Sequence, residues 1–252
     1  MKAAPGFDHA GSFGRSAAEY ARFRPRYPEA LFDWVASEAP DRELAIDVAA
    51  GAGQGALALA ARFMRVIAVD QSAELLATIP EHPRVERVVQ DAEALSPPGP
   101  ADAITVCQAL HWFATPTFFA RVRESLRPGG VFVAVGYVWP EVDAATNAVI
   151  QERLLPALLP HWSERNHVLM RGYGELAVPL SPVLSPPFAI EARWPLPALL
   201  AYLGTWSAAM RILEVEGRDI VGELTPAFVE AWGDPAVERV VTMPLTVRAW
   251  RR

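Results

Sequence analysis

The sequence predicts a doubly wound α/β domain built on a mostly parallel sheet, and two observations predict it. Between residues 44 and 137, short apolar segments of strand composition alternate with Ala/Leu-rich segments of helical spacing. That alternation is the pattern of a parallel sheet covered by helices on both faces. In addition, the first strand segment ends in the glycine-rich turn "AGAGQG" and a helical segment follows it, the arrangement with which such sheets hold a ribose or a phosphate.

The elements follow in order. Ser16 and Glu19 have the S-x-x-E spacing of a capping box, which predicts a helix from Ala17 to Phe23. "RPRYP" breaks it, and Pro28 fits the first position of a second helix that reaches Glu38, with Leu31, Trp34 and Val35 on one face. Strands are expected at 44–49, 65–70, 84–91, 101–108 and 130–137, and helices at Gln54–Phe63, Ala73–Ile79 and Pro116–Leu126. Thr115 before Pro116 is a start signal, and "LRPGG" is a helix stop leading tightly into the next strand. Residues 138–185, rich in Trp, Pro and Leu, read as a helical cap without clear strands. Beyond it come a strand at 188–194, one helix at Pro197–Glu216 and a final strand at 237–250, which Pro244 must bulge or delay.

Composition narrows the function classes. An apolar fraction of 52% with 21% charged residues is that of a globular chain. The formal charge of −6 speaks against nucleic acid as a partner. No unbroken apolar stretch has the length of a spanning helix, so no membrane partner is expected, and "MKAAPGFDHAGSFG" lacks the apolar core of a signal peptide. With Cys107 as the single cysteine, a cytoplasmic location is expected. His82, His161 and His167 have no ligand spacing with carboxylates or Cys107, so no metal site is expected.

The glycine turn lacks the lysine of a nucleotide-triphosphate loop. Gly51-x-Gly53 and Asp70, nineteen residues after Gly51, suit both an NAD site and an S-adenosylmethionine site. Asp47, four residues before Gly51, separates them. A carboxylate near the turn opposes a pyrophosphate and suits a ligand carrying a sulfonium and an ammonium group.

At these residues a resemblance emerges. "DVAAGAGQG", "VIAVDQS", "VVQDAEAL", "ITVCQALHWF" and "LRPGGVFV" occur in the order seen in class I S-adenosylmethionine-dependent methyltransferases, and "YARFRPRYP", "HW" and "TWS" resemble the subgroup that includes trans-aconitate methyltransferases. The resemblance covers residues 12–137 and is looser beyond. It implies a Rossmann-like sheet of seven strands in the order 3-2-1-4-5-7-6, strand 7 antiparallel, with ligands at the carboxyl ends of the strands. The chain then reads as one domain: a helical lid at 1–40, a cofactor-binding core at 41–137, a helical cap at 138–185 and the completing strands and helices at 186–252.

Carried over by position, the resemblance implies S-adenosyl-L-methionine as cofactor. Asp47 and the turn from Ala49 through Gly51 to Gly53 would face its methionine part, Asp70 its ribose hydroxyls, with Gln71 and Ser72 alongside. Asp91 and Ala92 would flank the adenine, and Gln108 and Ala109 would lie near the ribose–sulfonium side. Tyr20 and one arginine of the cluster Arg22, Arg24 and Arg26, with Arg24 chosen, would close over the cofactor carboxylate.

His111, following the fourth strand, is a candidate general base because an imidazole titrates near neutrality. Cys107 reads as a buried apolar residue, and Trp139, Trp162, Tyr173 and Trp206 read as core before pocket, with a substrate cavity lined by so aromatic a region as the second reading. The expected substrate is a small molecule, with a small carboxylic acid held by Arg24, Arg26 or Arg171 as the leading class. An NAD-dependent oxidoreductase and a non-catalytic S-adenosylmethionine-binding protein stand as alternatives.

Overall fold

The computed structural model describes residues 25–97 and 99–252. The capping box at Ser16 and Glu19, its helix, and Tyr20, Arg22 and Arg24 lie outside the described residues.

Helix α1 (Glu29–Glu38) starts at Pro28, which is the residue before the first turn rather than within it. The core then alternates: β1 (Leu44–Val48), α2 (Gln54–Ala60), β2 (Arg65–Asp70), α3 (Ala73–Ala77), β3 (Val85–Val89), β4 (Ala101–Cys107), α4 (Pro116–Ser125) and β5 (Leu126–Gly136). Thr115 caps α4 by accepting the Phe118 amide at 3.2 Å. "LRPGG", expected as a stop, is already the first part of β5, which pairs irregularly with β4 around Ala101 and Ala103.

In the cap, α5 (Ala144–Val149) passes through a π-helical turn at Ile150–Leu154 into Leu155–Leu158, and α6 (Glu164–Met170) follows. The segment also supplies β6 (Ser181–Val183), contrary to the expectation of a purely helical cap. Its three residues, one of them Pro182, are too short a run to show alternation in sequence.

After β7 (Ala189–Trp194) the expected single helix is two, α7 (Leu196–Gly204) and α8 (Ser207–Glu216), bent by 69° at Thr205-Trp206. Helix α9 (Ile220–Trp232) was not expected from sequence, because Gly222 and Pro226 lie inside it. The final run is likewise two strands, β8 (Arg239–Pro244) and β9 (Thr246–Arg251), separated at Leu245.

The main sheet has the order β3-β2-β1-β4-β5-β9-β6. Strands β1 to β5 pair in parallel, and β9 runs antiparallel to β5 and to β6. The fold is therefore the expected seven-stranded Rossmann-like one, its sixth strand coming from the cap. Strand β7 does not complete it; it pairs with β8 in a separate two-stranded ribbon. Strands β1 and β4 are buried along almost their whole length, because helices cover both faces. A further apolar cluster built on Tyr202, Trp206, Phe228 and Trp232 holds the cap helices together. Among the described residues, no single helix is long and apolar enough to cross a membrane.

Candidate functional site

The parallel sheet points the carboxyl ends of β1, β2 and β4 at one edge, where the chain reverses from β2 and β3 on one side to β4 on the other. The turn after β1 requires unusual backbone. Ala49, Gly51 and Gly53 all have positive φ, at 55°, 54° and 83°. A Cβ on Gly53 would lie 2.8 Å from Ile79, so that glycine permits both the turn and the packing of α3's far end. A Cβ on Gly51 would meet nothing within 4 Å among the described residues, so they leave the turn open in front of that residue.

Asp70 closes the turn. Its Oδ2 accepts the Gly51 amide at 2.9 Å and its Oδ1 accepts the Ser72 amide at 2.8 Å. Each oxygen keeps a second lone pair. A carboxylate fixed at the end of β2, beside an open turn, is a fitting acceptor for the two hydroxyls of a ribose. Ser72 itself caps α3, its Oγ accepting the Leu75 amide at 3.2 Å, while Gln71 is exposed beside it.

Asp47 is placed differently from the expectation. It is 1% exposed, and its carboxylate lies under α2 instead of facing the opening. Oδ1 accepts the Thr105 hydroxyl at 2.7 Å, and the Ala56 backbone amide also donates to the side chain. Gly55 makes this possible, since a Cβ there would come within 2.6 Å of Oδ2. Burial is the largest influence on the group and pushes its pKa up from 3.8 to about 7, with the nearby Asp70 adding to the rise. Asp47 thus ties β1, β4 and α2 together beneath the turn. The electrostatic contrast drawn between a carboxylate and a pyrophosphate loses force, because a large share of this acid is protonated at neutral pH.

Asp91 is exposed and caps a short 3₁₀ turn by accepting the Glu93 amide at 2.7 Å; Ala92 is half-buried beside it. At the end of β4, Gln108 has a φ of 61°, uncommon for a residue with a side chain. Its amide clasps the Tyr137 backbone in both directions, accepting the Tyr137 amide at 2.9 Å and donating to its carbonyl at 2.8 Å. The clasp holds the ends of β4 and β5 together, with Ala109 half-buried after it.

Next to this edge lies a cleft of about 660 Å³, counting the open solvent at its mouth. From the sheet side it is lined by Gln108, His111, Trp112 and Tyr137; from the cap side by Trp139, Trp162, Asn166 and Trp206, among others. Its described lining includes no Arg, Lys, Asp or Glu. Tyr173, 1% exposed, stands behind His111 and not in the lining.

His111 is 6% exposed, and its ring is held from two sides. The Tyr173 hydroxyl is 3.3 Å from Nδ1, and Asn166 Nδ2 is 3.5 Å from Nε2. The Asn166 orientation is fixed by a capping box, in which its Oδ1 accepts the Ser163 amide and hydroxyl. Its NH₂ group is therefore the part that faces the imidazole, which assigns Nε2 as an acceptor and Nδ1 as the protonated nitrogen. Burial pushes the Tyr173 phenol far up, so it stays a neutral hydroxyl. Sequence reasoning missed Asn166 and the role of Tyr173, which lie 55 and 62 residues from His111 and carry no local signal.

The other candidates are not brought to the site. Arg171 is half-exposed and paired with Glu175 at 3.0 Å, and Arg26 is exposed. Burial, then Asp47, pushes the Cys107 thiol well up, which disfavours a thiolate. Among the described residues, no group of three or more His, Cys, Asp or Glu is placed to hold a metal ion.

Comparison with known proteins gives consistent matches. A family model described as a methyltransferase domain matches residues 45–130. The solved structure of a proposed type II methyltransferase from Anaeromyxobacter dehalogenans is 42% identical, with a TM-score of 0.83 over 90% of this chain and 97% of that one. A proposed methyltransferase of Dictyostelium discoideum is 25% identical over 225 residues, 87% of this chain and 86% of its own. The fold is also that of a S-adenosylmethionine-dependent methyltransferase from Geobacter sulfurreducens, solved with S-adenosyl-L-homocysteine. That protein is 15% identical, with a TM-score of 0.52 over 96% of this chain and 98% of its own.

Proposed function

From a chain that belongs to the S-adenosylmethionine-dependent methyltransferases, we propose methyl transfer to a small-molecule acceptor held in the cleft between the sheet edge and the cap. The observation that carries this reading is adjacency: the cleft opens at Gln108 and Tyr137, just past the ends of β4 and β5, next to the open turn after β1 and Asp70 at the end of β2. The negative overall charge supports a small acceptor over a nucleic acid. Nothing observed favours the oxidoreductase alternative.

The turn at Ala49–Gly53 would hold the methionine part of the cofactor, Asp70 the ribose diol with Gln71 and Ser72 alongside, and Asp91 and Ala92 the adenine. When bound, S-adenosylmethionine supplies the methyl group together with a neutral thioether as leaving group. The work left to the chain is alignment and exclusion of water. Gln108 holds the ends of β4 and β5 together beside the cleft through its clasp on Tyr137. His111 Nε2 is the ring nitrogen with a lone pair, and it would take the proton of a hydroxyl acceptor that displaces Asn166. A carboxylic acid as acceptor needs a cation. Arg26 and Arg171 do not line the cleft and Arg24 is outside the described residues, so the described lining supports an uncharged acceptor instead.

Calorimetric titration of S-adenosylmethionine and S-adenosylhomocysteine tests the cofactor half. Wild type should bind both in the micromolar range, and Asp70→Ala should weaken binding at least tenfold while circular dichroism shows a folded protein. Equal affinity in the folded variant would remove Asp70 from the site, and no binding by folded wild type would overturn the reading.

A further inference from the structure

The cleft wall itself points to the chemistry of the acceptor. Trp139 follows β5, Trp162 precedes α6, and Trp206 stands at the bend between α7 and α8. Three segments distant in sequence thus bring three indoles together, with ring centroids 5.2, 5.6 and 6.0 Å apart. Tyr202, which also lines the cleft, meets Trp206 edge-on at 5.8 Å. Trp139 and Trp162 are only half-buried, so part of each ring is left facing the cleft they line. The three rings are tilted 46–54° to one another, so they make a faceted apolar surface on which a single indole face can stack an aromatic ring.

The sheet-side lining mixes polar Gln108, His111 and Tyr137 with Trp112. Gln108 and His111 stand on the sheet side, nearest the turn, and no Arg, Lys, Asp or Glu is among the described lining. A carboxylate entering this cleft would leave its water for described walls that offer no compensating cation. A neutral hydroxyl on a flat ring escapes that penalty, and Gln108 and His111 offer it hydrogen-bonding partners at the sheet end, as Asn166, Thr205 and Ser207 do on the cap side.

Resting on the reading above that this cleft is the acceptor site, we propose that its acceptor is a phenol, its ring packed against the Trp139–Trp162–Trp206 wall and its hydroxyl directed to His111 and Gln108. In the reaction the acceptor oxygen gains a bond to the donated methyl carbon as the carbon–sulfur bond breaks. The breaking bond's pair stays on sulfur, and the hydroxyl proton passes to His111 Nε2. The products are an aryl methyl ether, S-adenosylhomocysteine and, once His111 releases it, one proton.

A shape-matched series tests this. Binding of 2-naphthol, 2-naphthoate and 2-naphthyltrimethylammonium would be measured by calorimetry on the free protein and on protein saturated with S-adenosylhomocysteine. The expected order is 2-naphthol tightest by at least tenfold, with 2-methoxynaphthalene formed when S-adenosylmethionine is supplied. Trp162→Ala should weaken 2-naphthol at least tenfold, and Trp162→Phe should restore it to within threefold, both with unchanged S-adenosylhomocysteine affinity. Tighter naphthoate would overturn the proposal in favour of a carboxylate acceptor, and a tighter ammonium in favour of a cation. Undiminished naphthol binding by Trp162→Ala would remove the indole wall from recognition. Because S-adenosylhomocysteine affinity is read separately, loss of the acceptor class leaves the methyltransferase reading standing. Naphthol binding to the free protein decides the acceptor class even if cofactor binding fails.

Discussion

At the scale of single residues, the site depends on one buried acid and the glycine that makes room for it. Asp47 is covered by α2 because Gly55 has no side chain, and it is held by the Thr105 hydroxyl and the Ala56 amide. An acid whose pKa rises from 3.8 to about 7 on folding binds its proton more tightly in the folded state. Its contribution to stability is therefore greatest at low pH, falls as pH rises between those two values and levels off above 7. Asp47→Asn removes the titration. Between pH 5 and pH 8 the variant should gain about 2 kcal/mol on wild type, whatever its absolute stability. Urea denaturation of both proteins at the two pH values checks this; parallel pH dependence would mean that the acid is ionised when folded.

At the scale of elements, the interruptions are where local rules conflict. Helix α9 has a sound start, with Asp219 accepting the Gly222 amide at 2.9 Å, and its buried residues Ile220, Leu224, Phe228 and Trp232 fall at spacings of four. Pro226 nevertheless sits in its interior, on the exposed side, where it has no amide to donate to Gly222. Packing against the cap core outweighs that local cost. Pro226→Ala should therefore raise stability, by about 1–3 kcal/mol. A melting temperature that falls in the variant would show instead that the proline's rigidity in the unfolded chain is the larger effect. The break at Leu245 is different in kind: Pro244 ends β8, and Leu245 carries the chain from the ribbon into the main sheet. Pro244 marked the interruption in sequence, whereas the destination of each half depends on partners far away.

At the scale of the whole molecule, the sheet centre and the ribbon differ in protection. Strands β1 and β4 are covered on both faces and flanked by neighbours, whereas β7 and β8 have only each other in regular pairing and several exposed side chains. Local opening costs least where little apolar surface is buried. In hydrogen exchange followed by mass spectrometry, amides of 44–48 should exchange at least a hundredfold more slowly than those of 189–194. Similar rates would mean that ribbon and sheet open as one unit. The last strand closes the molecule: Arg251 donates to the carbonyls of Glu38 at 2.7 Å and Gly129 at 3.0 Å, which joins β9 to α1 and to β5.

The sequence by itself determined the alternation of β1 to β5 with their helices, the turn around Gly51 and Gly53, and Asp70 at the end of β2. Each of these is written in contiguous residues: an apolar run, a positive-φ glycine, a carboxylate at a strand end. Thr115 was legible as a cap for the same reason, since a cap acts within three residues. The tertiary structure alone decided that Asp47 is an internal tie, that β6 rather than β7 completes the sheet, and that Asn166 and Tyr173 hold His111. It also decided that three tryptophans from separate segments make one wall. These features join groups tens of residues apart, and no local preference of the chain specifies which distant group will fill the second half of a contact.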